Sequence, residues 1–367
     1  MKVAIVHYWW LTNRGGEAVC LALLDLFPSA DLYLHVCDDD LLKNTLPSNF
    51  QGSINKSLIS KLPFSKKMYQ KYLAFMPFAL EQLDLTEYDL VISSESGPSK
   101  GVITRPDALH VCYCHSPMRY LWDMYHEYKK SASFFTKLIF PVLAGRLRMW
   151  DRLSADRVDY FIANSSFVAS RINKYYRRES KVIYPPVSVD EFSINEERKG
   201  YYLYLGQLVR YKKADLAVEA FNKLGLPLKV VGEGELFESV CENAQSNVEV
   251  MGRQPFEEIK RMLSECKALI FPGVEDFGIV PVEAMASGAP VIAYAAGGVL
   301  DSVIHGETGI YFDEQTPEAI CEAVMSLEAG KYEFDREVLR AHSRKFSDSR
   351  FKKELKEYIS NKLGVIL

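Results

Sequence analysis

No apolar run in this sequence approaches the roughly 18 residues of a membrane span, so a chain that threads the bilayer is not expected; a soluble or peripheral protein is. There is no surplus of positive charge either. The formal net charge is −4, which argues against a nucleic-acid binder built on a general excess of lysine and arginine. The seven cysteines form no framework: Cys112 and Cys114 stand one residue apart, tighter than a zinc knuckle, and no second pair follows. Reduced thiols and a cytoplasmic location are expected. The opening "MKVAIVHYWW" lacks a small-residue cleavage site and turns polar and aromatic after one lysine, so it reads as a first buried strand and not as a signal peptide. A G-x-G-x-x-G fingerprint is missing after that strand, which weighs against a dinucleotide-dependent dehydrogenase. No Asp-x-Asp stands at a credible strand end, and the acidic run "CDDDLL" at 37–42 reads as a loop or helix start, so no metal is expected.

What is present suffices for two cores: 367 residues, 48% hydrophobic and 25% charged. Short runs rich in Val, Ile and Tyr recur without strict alternation: "KVAIVHY", "ADLYLHV", "YDLVISS", "LHVCYCH", "VDYFIANS" and "SKVIYPPV". A second series follows with "YYLYLGQL", "LPLKVVGEG", "NVEVMG", "ALIFPG", "PVIAYAAGG" and "TGIYF". Such runs suit strands covered on both faces, and the helical patterns between them imply an α/β protein with doubly wound parallel sheets. The pattern restarts after the paired prolines of "YPPVSVDEF". The expected organisation is a first Rossmann-like domain over 1–187 and a second over 188–345. A final helix, 346–367, crosses back to the first. Two such domains facing each other make a cleft, with ligands bound beyond the carboxyl ends of both sheets.

Candidate ligand groups therefore follow strands. In "GVEDFGIVPVEAMASGAP" two glutamates, Glu275 and Glu283, are separated by seven residues. Pro281 fits the first turn of a short helix and Gly288 its stop, which puts Glu283 in the first turn, where its charge complements the helix dipole. Backbone N–H groups near Phe277, Gly278 and Ile279 would offer an anion or hydroxyl site. Glu275 could accept bonds from sugar hydroxyls and Glu283 from a ribose; equally, Glu283 could only cap its helix and Glu275 be solvated. After the strand in "YLYLGQLVRYKKADLAVEAF", Arg210, Lys212 and Lys213 could reach a diphosphate or form a solvated basic loop. Gly232 and Gly234 in "VVGEGE" allow close backbone approach to a nucleotide, though a turn alone would explain them. Gly15 and Gly16 in "NRGGEAV" allow the same beside a phosphate or sugar.

Taken together, "GGEAV", "CHSPMRYLWD", "GQLVRYKKADLAVEAF" and "EDFGIVPVEAMASGAPVIAYAAGG" resemble the retaining glycosyltransferases of family 4, which have the GT-B fold, and "YCHSPMRYLWDMYHEY" resembles the branch of mannosyltransferases that builds bacterial O-antigens and exopolysaccharides. The resemblance implies that Glu283 binds the ribose of a nucleotide-sugar, Glu275 the transferred hexose, the amides of Phe277–Ile279 the sugar, and Lys212 the diphosphate, with Gly15 and Gly16 on the phosphate or acceptor side. His115 matches the family histidine near the reacting side of the sugar; the alternative is a structural histidine packed after "VCYC". The base would lie near Gly232, Met251 and Arg253. One departure stands out: Gln207 replaces an arginine common in the family, so Arg210 or Lys213 must compensate or Lys212 act alone. A front-face reaction follows from the family, with mannose passing from GDP-mannose to a lipid-linked glycan and no cofactor. A UDP-sugar donor and a catalytically silent nucleotide-sugar binder remain the other readings.

The acceptor end is less defined. Arg119, Tyr120, Trp122 and Asp123 could meet the acceptor or serve packing. The stretch 56–83 mixes five lysines with Leu, Ile, Phe, Met and Tyr, and 134–150 repeats the mixture with arginines. Basic and apolar helical faces of this kind suit peripheral contact with the cytoplasmic face of a membrane, or core-facing helices with solvated lysines.

Overall fold

The structure, a computed structural model, describes residues 1–12, 15–131, 133–195 and 197–364; Asn13 and Arg14 of "NRGGEAV" and the last three residues of the C-terminal segment lie outside it. The chain forms two compact units, Met1–Pro186 joined by the segment from Phe351 onward, and Val187–Arg350. The returning segment thus begins at Phe351, not at 346.

The first unit carries β1 (Val3–His7), β2 (Trp9–Trp10), β3 (Asp31–Leu34), β4 (Val36–Cys37), β5 (Ile54–Lys56), β6 (Leu90–Glu95), β7 (Leu109–Cys114), β8 (Tyr160–Ala163) and β9 (Ser180–Val182). Seven of these make one sheet in the order β5-β3-β1-β6-β7-β8-β9, with parallel pairing throughout. All five residues of β1 and all six of β6 are buried, so both faces of these strands are covered; Val3–Val6 and Leu90–Ile92 are apolar, and the polar residues His7, Ser93, Ser94 and Glu95 gather at the carboxyl ends. The chain builds outward from β1 through β3 to β5, then returns to add β6 on the other side. The sheet therefore reverses direction between β1 and β6, the kind of switch point where open α/β sheets bind ligands.

The second unit repeats the plan with β10 (Tyr202–Leu205), β11 (Leu228–Val231), β12 (Val248–Gly252), β13 (Leu269–Phe271), β14 (Val291–Tyr294) and β15 (Gly309–Phe312), in the order β12-β11-β10-β13-β14-β15. Its reversal falls between β10 and β13. The C-terminal helix Asp348–Leu363 seals the first unit: Phe351, Leu355 and Ile359, four apart and fully buried, join the core of Ile5, Ile92, Val111 and Ile162.

Three strands escaped the sequence reading. β2 and β4 are two residues each and pair only with one another, and β5 is a half-exposed edge strand, so none produces an apolar run. The basic stretch 56–83 also differs from a helical face: it breaks into the 3-10 turns Leu58–Lys61 and Tyr69–Phe75 and the short helices Ser65–Met68 and Met76–Glu81. Phe64 sits in the left-handed region at φ 52°, and Pro63 and Pro77 cannot donate in a continuing helix. By contrast, Phe134–Ser154 is one 21-residue helix. The acidic run is a helix start, with Asp38 accepting from the amides of Asp40 and Leu41.

Candidate functional site

In the second unit the loops after β10, β11 and β13 are packed backbone against backbone, and glycines permit it. A Cβ on Gly232 would lie 1.8 Å from the Gly206 carbonyl oxygen, and one on Gly234 would lie 2.4 Å from that of Leu208. The same edges are stitched by Gly206 N–H to Val231 O, Leu208 N–H to Glu233 O and Gly232 N–H to Gly252 O, at 2.9–3.0 Å. Gly232 and Gly234 are thus needed for loop-on-loop packing, whatever else they meet. Gly273 does the same for the next loop, since its missing Cβ would fall 2.7 Å from Cα of Lys212.

That approach brings Lys212, at the end of the 3-10 turn Arg210–Lys212, beside the loop that follows β13. Lys212 Nζ meets Glu275 Oε1 at 2.9 Å, with both side chains mostly buried (15% and 21% exposed). The pair lies at the carboxyl ends of β10 and β13, the switch point of this sheet. Tyr204, buried beneath, donates to the Lys212 carbonyl at 3.3 Å; no sequence signal marks it, because a tyrosine inside an apolar strand reads as core. Arg210 stays outside this pair, on an exposed side chain 3.7 Å from Glu235. Gln207 is exposed, Met251 half-buried and Arg253 exposed.

The Glu275 loop is pinned on its other side by Gly297 and Gly298. Gly298 N–H donates to Glu275 O at 2.9 Å, and a Cβ on Gly298 would lie 2.4 Å from Cα of Phe277. Phe277 is buried, with its ring 5.6 Å from that of Phe346. Gly278, at φ 87°, then starts the helix Ile279–Ala286 without a side-chain cap. The helix therefore begins two residues before Pro281, and Glu283 falls in its second turn, not its first. It gains little from the N-terminal dipole. Burial pushes its carboxyl up to about 7, and the neighbouring Glu191 adds like charge. Among the described residues nothing donates a hydrogen bond to that carboxylate, leaving its oxygens available to a ligand.

In the first unit His115 follows β7. Its Nε2 lies 2.8 Å from Ser94 Oγ, and Ser94 Oγ lies 3.0 Å from His7 Nδ1. Gly15 and Gly16 open the helix Gly15–Leu26; a Cβ on Gly16 would lie 2.5 Å from the Tyr8 hydroxyl and 3.5 Å from the His7 ring. Glu17, the next residue, is buried, and Thr12 Oγ1 donates to it at 3.2 Å. His7, Ser94 and Glu17 were not singled out from the sequence: two sit inside apolar strands, and their meeting depends on strand order.

The segment after His115 is fixed from below. Trp122 stacks on Tyr175 (4.7 Å, 16°) and its Nε1 donates to Asp151 at 2.7 Å, while Asp123 pairs with Arg171 Nη2 at 2.5 Å. Arg171 also donates to Ser116 Oγ and Pro117 O. Asp151 in turn shares fully buried Lys100 with Glu95. Trp122 and Asp123 thus act as packing and pairing groups here. Arg119 and Tyr120 are half-buried, with Arg119 Nη1 and the Tyr120 hydroxyl directed at the sulfurs of Met124 and Met118.

The state of Glu283 has a measurable consequence. Its folded pKa of about 7 exceeds the ordinary 4.5, so between those values the folded chain holds a proton that the unfolded chain has released, and stability falls as pH rises through that window. Glu283→Gln should match the parent near pH 4.5 and melt at higher temperature than the parent at pH 8. Superimposable Tm–pH curves for the two proteins would contradict this.

Comparison with known proteins agrees with the geometry. The family model "Glycosyl transferases group 1" matches residues 189–346, and "Glycosyltransferase Family 4" matches 14–191. An uncharacterized glycosyltransferase of Methanocaldococcus jannaschii, MJ1178, is 29% identical over 185 residues, 49% of this chain and 52% of the relative. Alpha-1,3/1,6-mannosyltransferase ALG2 of Homo sapiens is 24% identical over 327 residues, covering 76% of this chain and 74% of its own. The chain spans about half the length of the archaeal relative. Among solved structures, Anabaena HepE in complex with UDP superposes with a TM-score of 0.71 at 16% identity, covering 98% of this chain and all of that one. With two Rossmann-like sheets and both family models matched in succession, the chain belongs to glycosyltransferase family 4 and has the GT-B fold.

Proposed function

We propose that this protein is a retaining hexosyltransferase that moves mannose from GDP-mannose to a lipid-linked glycan, in the synthesis of bacterial surface polysaccharide. The observation that carries the reading is the Lys212–Glu275 pair at a sheet switch point, next to a helix whose first amides lack a side-chain cap and to a carboxylate, Glu283, with no protein partner among the described residues. Each group has a task. Lys212 neutralises the diphosphate as its charge grows on departure, and the amides from Phe277 to Ile279 add positive potential, so no metal is required. Glu275 accepts from hydroxyls of the hexose, Glu283 from the ribose, and His115 contacts the sugar. The bond from the anomeric carbon to the diphosphate oxygen breaks as the acceptor oxygen attacks on the same face, and the departing diphosphate takes the acceptor's proton. Configuration is thereby retained without an enzyme nucleophile.

Mannose is favoured by the likeness to ALG2, which is named a mannosyltransferase. A UDP-sugar is the second reading, favoured by the fold shared with HepE, whose solved complexes hold UDP and UDP-glucose. Calorimetric titration with GDP, UDP and ADP separates them. GDP should bind tightest, and Glu283→Ala should weaken it about ten- to a hundredfold, the loss of one to two charge-assisted hydrogen bonds. Preference for UDP would overturn the donor, and no binding of any nucleotide would overturn the enzyme.

We further assign the first unit a peripheral membrane contact. No helix among the described residues is long and apolar enough to cross a bilayer. The helix Phe134–Ser154, however, exposes Phe134, Leu138, Val142 and Met149 along one line, beside Lys137 and Arg146, and the turns of 56–83 expose Phe64, Phe75 and Phe78 among lysines. Apolar groups with flanking cations match an anionic leaflet. The protein should sediment with vesicles containing anionic lipid at low salt and lose this on Leu138→Asp with Val142→Asp; equal sedimentation of the variant would place the contact elsewhere.

A further inference from the structure

We propose that Lys213 serves the diphosphate site through its backbone and not its charge: its left-handed conformation, with the hydroxyl of buried Tyr204 beneath, sets the Lys212 peptide so that the Lys212 ammonium reaches the Glu275 loop. Both are positioning residues. The proposal rests on the assignment of Lys212 to the diphosphate, while the geometry that positions Lys212 lies wholly within the second unit.

Lys213 stands at φ 58° and ψ 39°, in the left-handed region. A Cβ crowds the backbone carbonyl there, so residues other than glycine adopt this conformation at a cost and keep it where surrounding contacts over-determine it. Helix capping does not supply the reason. The helix Ala214–Leu224 that follows would accept an extended residue at its start, and Lys213 gives it no side-chain cap. Arg177 shares the conformation, but it ends the helix Ser166–Tyr176, where a left-handed residue is routine. At Lys213 the determining contacts belong to its neighbour, Lys212.

Lys212 closes the 3-10 turn that begins at Arg210, its N–H donating to Val209 O at 3.0 Å and the Lys213 N–H to Arg210 O at 3.3 Å. A right-handed residue at 213 would run this turn straight into the helix and align the Lys212 carbonyl with the helix axis. The left-handed residue breaks that line. Lys213 O accepts from Ala217 N–H at 3.3 Å and starts the helical ladder, while the Lys212 carbonyl turns to the Tyr204 hydroxyl at 3.3 Å. The Gln207 carbonyl lies 3.5 Å from the same hydroxyl, so Tyr204 gathers both ends of the loop from Gln207 to Lys212. Burial pushes that hydroxyl well above the usual tyrosine range, with Glu275 adding to the shift, so it stays protonated as a donor. From the side, Gly273 presses on the same peptide: a Cβ there would lie 2.7 Å from Lys212 Cα and 2.9 Å from Tyr211 O. Carbonyl, Cα and ammonium of Lys212 are thus each fixed, the last on Glu275 at 2.9 Å. The Lys213 ammonium, by contrast, has no ion-pair partner among the described residues.

The test pairs melting of the full chain without ligand with calorimetric titration of GMP and GDP, across Lys213→Gly, Lys213→Asn, Lys213→Val and Tyr204→Phe. Glycine relieves the backbone and removes the charge, so Lys213→Gly should melt about 2–4 °C above the parent and keep its preference for GDP over GMP within about twofold. Asparagine, neutral and tolerant of the left-handed region, should also keep that preference. Valine resists the conformation; Lys213→Val should melt below the parent and lose about tenfold of the preference, and Tyr204→Phe should lose several-fold. Neither loss should appear in a Lys212→Met background. Should Lys213→Val fold poorly, Tyr204→Phe carries the positioning arm. A tenfold loss of GDP preference in Lys213→Gly would show that the ammonium itself serves the diphosphate and would overturn the proposal. So would a Lys213→Gly that melts below the parent, or a Tyr204→Phe with its preference intact. A parent without preference for GDP over GMP would instead overturn the assignment of Lys212, with the melting order of the Gly, parent and Val proteins still deciding the backbone geometry.

Discussion

The ion pair between Lys212 and Glu275 joins two loops that leave different strands, and most of the second unit's local architecture serves to let them meet. β10 and β13 are neighbours only because the sheet reverses there, so no crossing element separates the loops beyond their ends. Gly273 admits the Lys212 backbone, while Gly297 and Gly298 press the other side of the Glu275 loop. With neither side chain more than about a fifth exposed, the pair sits where water screens weakly, and each charge would be costly there alone. A ligand presenting a diphosphate to the lysine and hydroxyls to the glutamate replaces one set of charge-assisted contacts with another. That is a physical basis for selecting a sugar joined to a diphosphate over either part.

The first unit applies the same economy with different chemistry. Its switch point carries the hydrogen-bonded chain His7–Ser94–His115. Charge is kept one layer lower, in the Lys100 contact with Glu95 and Asp151, where both carboxylates are paired and Asp151 also receives Trp122 and Tyr176. Because Glu95 ends β6 and its carbonyl holds the His115 amide, this buried pairing fixes the strand end from which the histidine projects.

Much of this was legible in the chain. Continuous apolar runs marked the principal strands because both sheet faces are covered, and Pro281 and Gly288 bracketed a short helix correctly in kind. The turn assigned to Glu283 was not legible: Gly278 enters a left-handed conformation and starts the helix early, which sequence does not announce for a single glycine. Gly232 and Gly234 looked like groups for a nucleotide, yet their tightest neighbours are the carbonyls of Gly206 and Leu208, a contact set by strand order. Trp122 and Asp123 drew attention as polar and aromatic residues after a strand; their partners, Asp151 and Arg171, lie 29 and 48 residues away. His7 and Ser94, 87 residues apart, were hidden for the same reason. What sequence periodicity misses here is consistently the side-to-side arrangement of strands.

The most direct test of the account is a comparison of GMP, GDP and GDP-mannose binding by the parent, Lys212→Met, Glu275→Gln and the double variant. If the pair divides a donor between diphosphate and sugar, Lys212→Met removes most of the preference for GDP over GMP. Glu275→Gln removes the preference for GDP-mannose over GDP, and the two losses are non-additive because the side chains touch. A uniform loss across all three ligands in either variant would show that the pair only holds the loops together, and would contradict the central claim.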